Sequence, residues 1–142
     1  MRIQSVFIGL LALVLGASAL AQNAPRTPSA AGAKLYFISP KNGATVHGSV
    51  TVRFGLSGMG VAPAGTLVEN TGHHHLIVDA PLPALDQPIP KDDQHLHFGK
   101  GQTETTLTLA PGKHTLQLLL GDAGHRPHDP ALVSERITIT VK

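Results

Sequence analysis

Nine histidines and no cysteine set the chemistry open to this chain of 142 residues. Seven of the nine are grouped. His73, His74 and His75 are consecutive, His95 and His97 flank Leu96, and His125 and His128 stand in a segment punctuated by Gly124, Pro127 and Pro130. Neutral imidazole suits zinc, copper, nickel and iron, and three or four rings converging at ~2.0–2.1 Å make a zinc site. A strand repeats every two residues, so His73 and His75 project to one side, as do His95 and His97 if their segment is extended. His125 and His128 can be aimed together by their loop. The candidate ligands are therefore His73, His75, His95, His97, His125 and His128. Glu104 and Asp122, with Asp92 and Asp93, could complete a shell or orient ring tautomers from behind.

The remaining histidines have plainer readings. His74 shares the parity of Leu76 and Val78 and points toward the core, at most supporting the site from behind. His114 continues the row of Leu116, Leu118 and Leu120, and is expected at the core edge. His47 falls in a turn. The grouped rings also admit a reading without metal, as a buried polar network that pins loops together or a patch that titrates near pH ~6.5.

The elements that must position these rings read as strands. In Ser49–Leu56 the apolar residues Val50, Val52, Phe54 and Leu56 alternate with Thr51, Arg53 and Gly55, a period of two. Leu35–Ser39, His73–Val78, Thr105–Leu109, Lys113–Leu120 and Arg136–Val141 are further strands. No segment of the mature chain carries a helical stripe. Six or seven short antiparallel strands in about 110 residues argue an all-β, immunoglobulin-like antiparallel β-sandwich over residues 34–142. Ala80–Lys100, with Pro81, Pro83, Pro88 and Pro90, does not fit that pattern and reads as a long ordered excursion.

Upstream, Arg2, the apolar run Val6–Gly16 and Ala19-Leu20-Ala21 have the form of a cleavable export signal over residues 1–21. The apolar run is short for a membrane span, which needs ~20 residues. A periplasmic protein with no membrane insertion after cleavage is expected. Residues 22–33, rich in Pro, Ala and Ser, read as a flexible linker. Without cysteine the domain holds itself by core packing, and after cleavage Met59 is the single soft donor left. Copper(II) or zinc is then the expected ion, and an envelope protein the expected partner in its handling or delivery. There is no Lys/Arg cluster, no Trp and one Tyr, which argues against nucleic-acid binding.

Several motifs together resemble one bacterial secreted family, filed as domain of unknown function 4399. They are Gly72-His-His-His-Leu-Ile-Val-Asp79, His97-Phe-Gly-Lys-Gly-Gln-Thr-Glu104, Pro111-Gly-Lys-His-Thr-Leu-Gln-Leu118 and His125-Arg-Pro-His128. The resemblance implies a role for His73, His74, His75, His97, Glu104, His114, Gln117, His125 and His128, but no reaction. Ser39–Leu56 and Pro111–Val141 also resemble the opening and closing strands of bacterial immunoglobulin-like domains.

Catalytic readings are weaker. His95-x-His97 with Glu104 and His114 resembles the metal motifs of cupins, although the Glu stands further from the second His than that pattern has it. A cupin-like metalloenzyme would need His114 as a ligand. Ser57, in Gly55-Leu-Ser-Gly-Met59, lacks the second Gly of a nucleophile elbow. The alternative of another class is an interaction module whose histidines form a structural network.

Overall fold

A computed structural model describes residues 25–142, and the export signal expected over 1–21 lies outside them. The described residues are all β. Nine strands follow in order: β1 (Lys34–Ser39), β2 (Thr45–Val46), β3 (Val50–Ser57), β4 (Gly60–Val61), β5 (Thr71–Val78), β6 (His95–His97), β7 (Glu104–Leu107), β8 (Gly112–Gly121) and β9 (Ile137–Val141). One sheet runs β1-β3-β7. The other runs β2-β9-β8-β5-β4, with β6 pairing β5. Pairing is antiparallel except for the short β2–β9 and β4–β5 contacts.

Alternation builds the core. Leu35 and Phe37 of β1 and Val50, Val52 and Phe54 of β3 meet Leu76 and Val78 of β5, Leu116, Leu118 and Leu120 of β8, and Ile137, Ile139 and Val141 of β9. Burying these side chains against each other is the main force holding the two sheets together. The sandwich is the fold that the alternation anticipates.

Three features were not legible in that pattern. β5 is buried on both faces. Its inner residues face the other sheet, while Ile77 on its outer face packs with Ala80, Ile89 and Leu119, flanked by Leu82, Leu85 and Val133. The excursion after β5 thus folds back as a roof over the outside of the larger sheet. Second, the last part of β8 is paired not by β9 but by the segment before it, through bridges Leu119–Val133 and Gly121–Pro127. Residues 122–134 therefore form an arm that returns along β8.

The third feature lies within the segment read as a linker. Among the described residues of 22–33, Arg26–Ser29 contact the arm. Pro28 bridges to Asp129, the amide of Asp129 donates to the Thr27 carbonyl at 2.9 Å, and Arg26 meets the Asp129 carboxylate at 2.6 Å. Polar backbone and one well-placed cation anchor a segment whose composition alone suggests a coil.

Candidate metal centre

The register of β5 sets the site. His73 lies opposite Gly121 and His75 opposite Leu119 of β8, while His75 lies opposite His97 of β6. Residues directly opposite share a face. His73, His75 and His97 therefore stand together on the outer face, beneath the roof. His125 arrives from the arm that leaves β8 at Gly121.

The four rings form a compact group. Their centroids are 4.8 Å apart for His73–His75, 5.0 Å for His73–His97, 5.0 Å for His73–His125 and 5.0 Å for His75–His97. His97–His125 is 4.7 Å and His75–His125 is 6.3 Å. One ring nitrogen each of His73, His97 and His125 lies within 4.8 Å of the others, and Nε2 of His73 and His75 are 3.0 Å apart. His75 Nδ1 and His97 Nε2 are buried without a partner. Buried polar atoms are usually bonded, so such orphans mark a place where a further group fits.

Two glycines make room for the rings. A Cβ on Gly121 would stand 2.8 Å from His75 Nε2, and one on Gly99 would stand 2.3 Å from His97 Cε1. Any side chain there would push the imidazole out of its present place.

The loop holding His125 is organised by Asp122. Its Oδ1 accepts the amides of Gly124 and Arg126, each at 2.9 Å, and its Oδ2 accepts the Thr27 hydroxyl at 2.7 Å. His125 itself has φ +64°, a left-handed conformation uncommon for a residue with a side chain. The Ile89 amide of the roof donates to its carbonyl at 2.8 Å.

Burial also sets the proton affinity of the rings. Desolvation, followed by the neighbouring imidazoles, lowers the His73 pKa to about 4 and that of His75 to about 2. His97 is lowered too, by desolvation first and then by His125 and Lys91. An imidazole kept neutral retains a lone pair for a metal at neutral pH.

The other candidate residues lie outside this group. His95 shares the face of His97, but its Nδ1 pairs with Asp92 at 2.8 Å, and no ring contact joins it to the four. That bond holds the exposed Asp92 carboxyl below its usual range. His128 is fully buried and turns Nε2 toward the Thr71 carbonyl at 3.2 Å. Glu104 belongs to β7 of the opposite sheet, where it faces Arg53 at 3.6 Å. Asp122 is a neighbour whose charge favours protonation of His73, though its oxygens are taken up by the loop and Thr27.

His74 and His114 behave as their parity suggests. His74 is fully buried on the inner face, its ring 5.0 Å from that of Phe54. His114 places Nδ1 2.6 Å from Asp79 Oδ2 and Nε2 2.7 Å from the Ala110 carbonyl, so both nitrogens are engaged far along β8 from the four rings. With Glu104 in the other sheet as well, the cupin-like ligand set is not assembled. The residues that the sequence reading missed are Gly99 and Gly121, whose lack of a side chain makes the ring positions possible.

The family model described as Domain of unknown function (DUF4399) matches residues 52–142, a span that contains all four rings. The comparison with curated proteins found no match. Two solved structures bear a distant likeness. One is the endo-beta-1,4-mannanase from Thermotoga petrophila, at 19% identity and TM-score 0.45, covering 78% of this chain and 20% of that one. The other is the fibronectin(III)-like modules of Clostridium thermocellum CbhA, at 11% identity and TM-score 0.40, covering 75% and 92%. The chain thus spans about a fifth of the mannanase's length.

Proposed function

The chain belongs to the family described as Domain of unknown function (DUF4399), and we propose that it is an exported, periplasmic protein that binds copper(II) or zinc for handling or delivery. The observation that carries this reading is the convergence of His73, His75, His97 and His125, from three segments distant in sequence, on one covered point. Four imidazole nitrogens, with neither thiolate nor thioether among them, are a borderline donor set. That set favours copper(II) and zinc over copper(I) or calcium.

Distances support the same reading. With bonds of ~2.0–2.1 Å, donors at right angles stand ~2.9 Å apart and tetrahedral donors ~3.3 Å apart. The 3.0 Å between the Nε2 atoms of His73 and His75 lies in that range. The wider spread among His73, His97 and His125 means that the arm and β6 must close slightly on the ion. A partner in the cell envelope would supply the ion or receive it.

A second reading is a non-metal interaction module. It is favoured by the same 3.0 Å contact, because one imidazole N–H can donate to the other ring and hold the loops without an ion. Metal titration of the mature protein separates the two. The metal reading expects tight binding in wild type and its loss in the His97→Ala, His125→Ala double variant. Equal binding in both, micromolar or weaker, rejects it.

A further inference from the structure

We infer that Arg26 and Thr27 form a strap that positions His125 and thereby sets how tightly the four-ring site holds its ion. The inference rests on the metal reading above. It concerns residues outside the 52–142 span that the family model matches.

Of the four rings, His125 depends most on distant support. His73, His75 and His97 stand on paired strands, whereas His125 stands on a turn with left-handed backbone, a conformation that the surroundings must hold in place. That turn is wrapped around the Asp122 carboxylate. One oxygen gathers the amides of Gly124 and Arg126, and the other is held by the Thr27 hydroxyl. Thr27 therefore fixes the orientation of the carboxylate on which the turn is built.

Arg26 fastens the same region twice. One terminal nitrogen reaches the Asp129 carboxylate at 2.6 Å, at the far end of the turn. The other donates to the Leu85 carbonyl of the roof at 2.7 Å. The guanidinium thus joins the two covers of the site, and it is itself mostly buried, with 19% of its side chain exposed. Backbone pairing of Thr27 and Ser29 with Asp129 completes the strap. None of these residues offers a donor to the ion. They are positioning residues.

The test compares wild type with Arg26→Ala/Thr27→Val and with Thr27→Ser, all as mature chains. Amide hydrogen exchange without metal reads the turn, and copper(II) and zinc titrations read the site. The inference expects faster exchange at residues 123–128 in the double variant, with β5 and β8 still protected. It also expects a dissociation constant raised at least tenfold at unchanged stoichiometry, and near-normal behaviour in Thr27→Ser, which keeps the hydroxyl. Unchanged exchange at the turn overturns the inference, as does a loosened turn with unchanged affinity. If wild type itself takes up no ion, the metal reading falls and the strap's effect on affinity falls with it, while the exchange result still reports on the turn.

Discussion

Nε2 of His73 and Nε2 of His75 lie 3.0 Å apart on the outer face of β5, one strand position from a third ring, His97. Two lone pairs this close repel unless a proton or a metal ion stands between them. On the proposed reading the ion is the better occupant, and it ties β5, β6 and the arm together. Copper(II) or zinc should therefore raise the melting temperature, and a chelator should reverse the rise. At a free metal concentration of 100 times the dissociation constant the gain is about 2.7 kcal/mol. Differential scanning calorimetry with and without chelator measures it.

Gly121 and Gly99 provide a test through shape. Gly121→Ala places a methyl group against His75, and Gly99→Ala places one against His97. Gly121 is buried and does not need a positive φ, so the alanine changes packing more than backbone. Overpacking of this kind costs about 1–3 kcal/mol. Each variant should also weaken metal binding at least tenfold, read by competition with a chromophoric chelator. Full affinity in both would mean that these rings are not ligands.

His74 should respond in the opposite sense from its neighbours. Both of its ring nitrogens are buried without partners in the hydrophobic core, against Phe54. An unsatisfied buried polar group costs about 1–3 kcal/mol. His74→Leu is therefore expected to stabilise the fold in urea denaturation by about 1 kcal/mol, with metal binding intact. The same substitution at His73 or His75 should remove metal binding.

The pH dependence follows from the burial of the same group. In the unfolded chain His74 takes a proton near 6.5, but in the fold its pKa is lowered to about 4 by desolvation. The unfolded state thus binds more protons between these values, and stability must rise with pH across that window. This linkage costs nothing above pH 6.5 and becomes a penalty that grows as pH falls toward 4, on the order of 3 kcal/mol for this residue. His73 and His75 act in the same direction. His114 opposes them: its bond to Asp79 raises its pKa, so its contribution is full below pH 6.5 and fades as pH rises through the folded value. Urea midpoints of wild type and His74→Leu from pH 4 to 8 should converge at the acid end relative to a third variant, His114→Gln, only if these signs are wrong. The expected result is a shallower acid decline in His74→Leu and a loss confined to lower pH in His114→Gln.

Local periodicity carries much of this structure. The period of two in residues 50–56 and 137–141 dictates strands with one apolar face, and enough such strands close into a sandwich. Parity also separates His73 and His75 from His74, because neighbouring residues on a strand must face opposite ways.

Selection among the remaining rings belongs to the tertiary structure. His95 and His97 have the same parity, yet Asp92 takes the first and β5 receives the second. His125 and His128 share a loop, but one turns toward the strands and the other toward the Thr71 carbonyl. Periodicity reports only the direction in which a side chain leaves its own backbone. Which rings meet depends on where the roof, the arm and Arg26–Ser29 dock, and those contacts join residues as far apart in the chain as Arg26 and Asp129. The sequence determined a histidine-bearing β-sandwich, and long-range docking decided which four rings face one another.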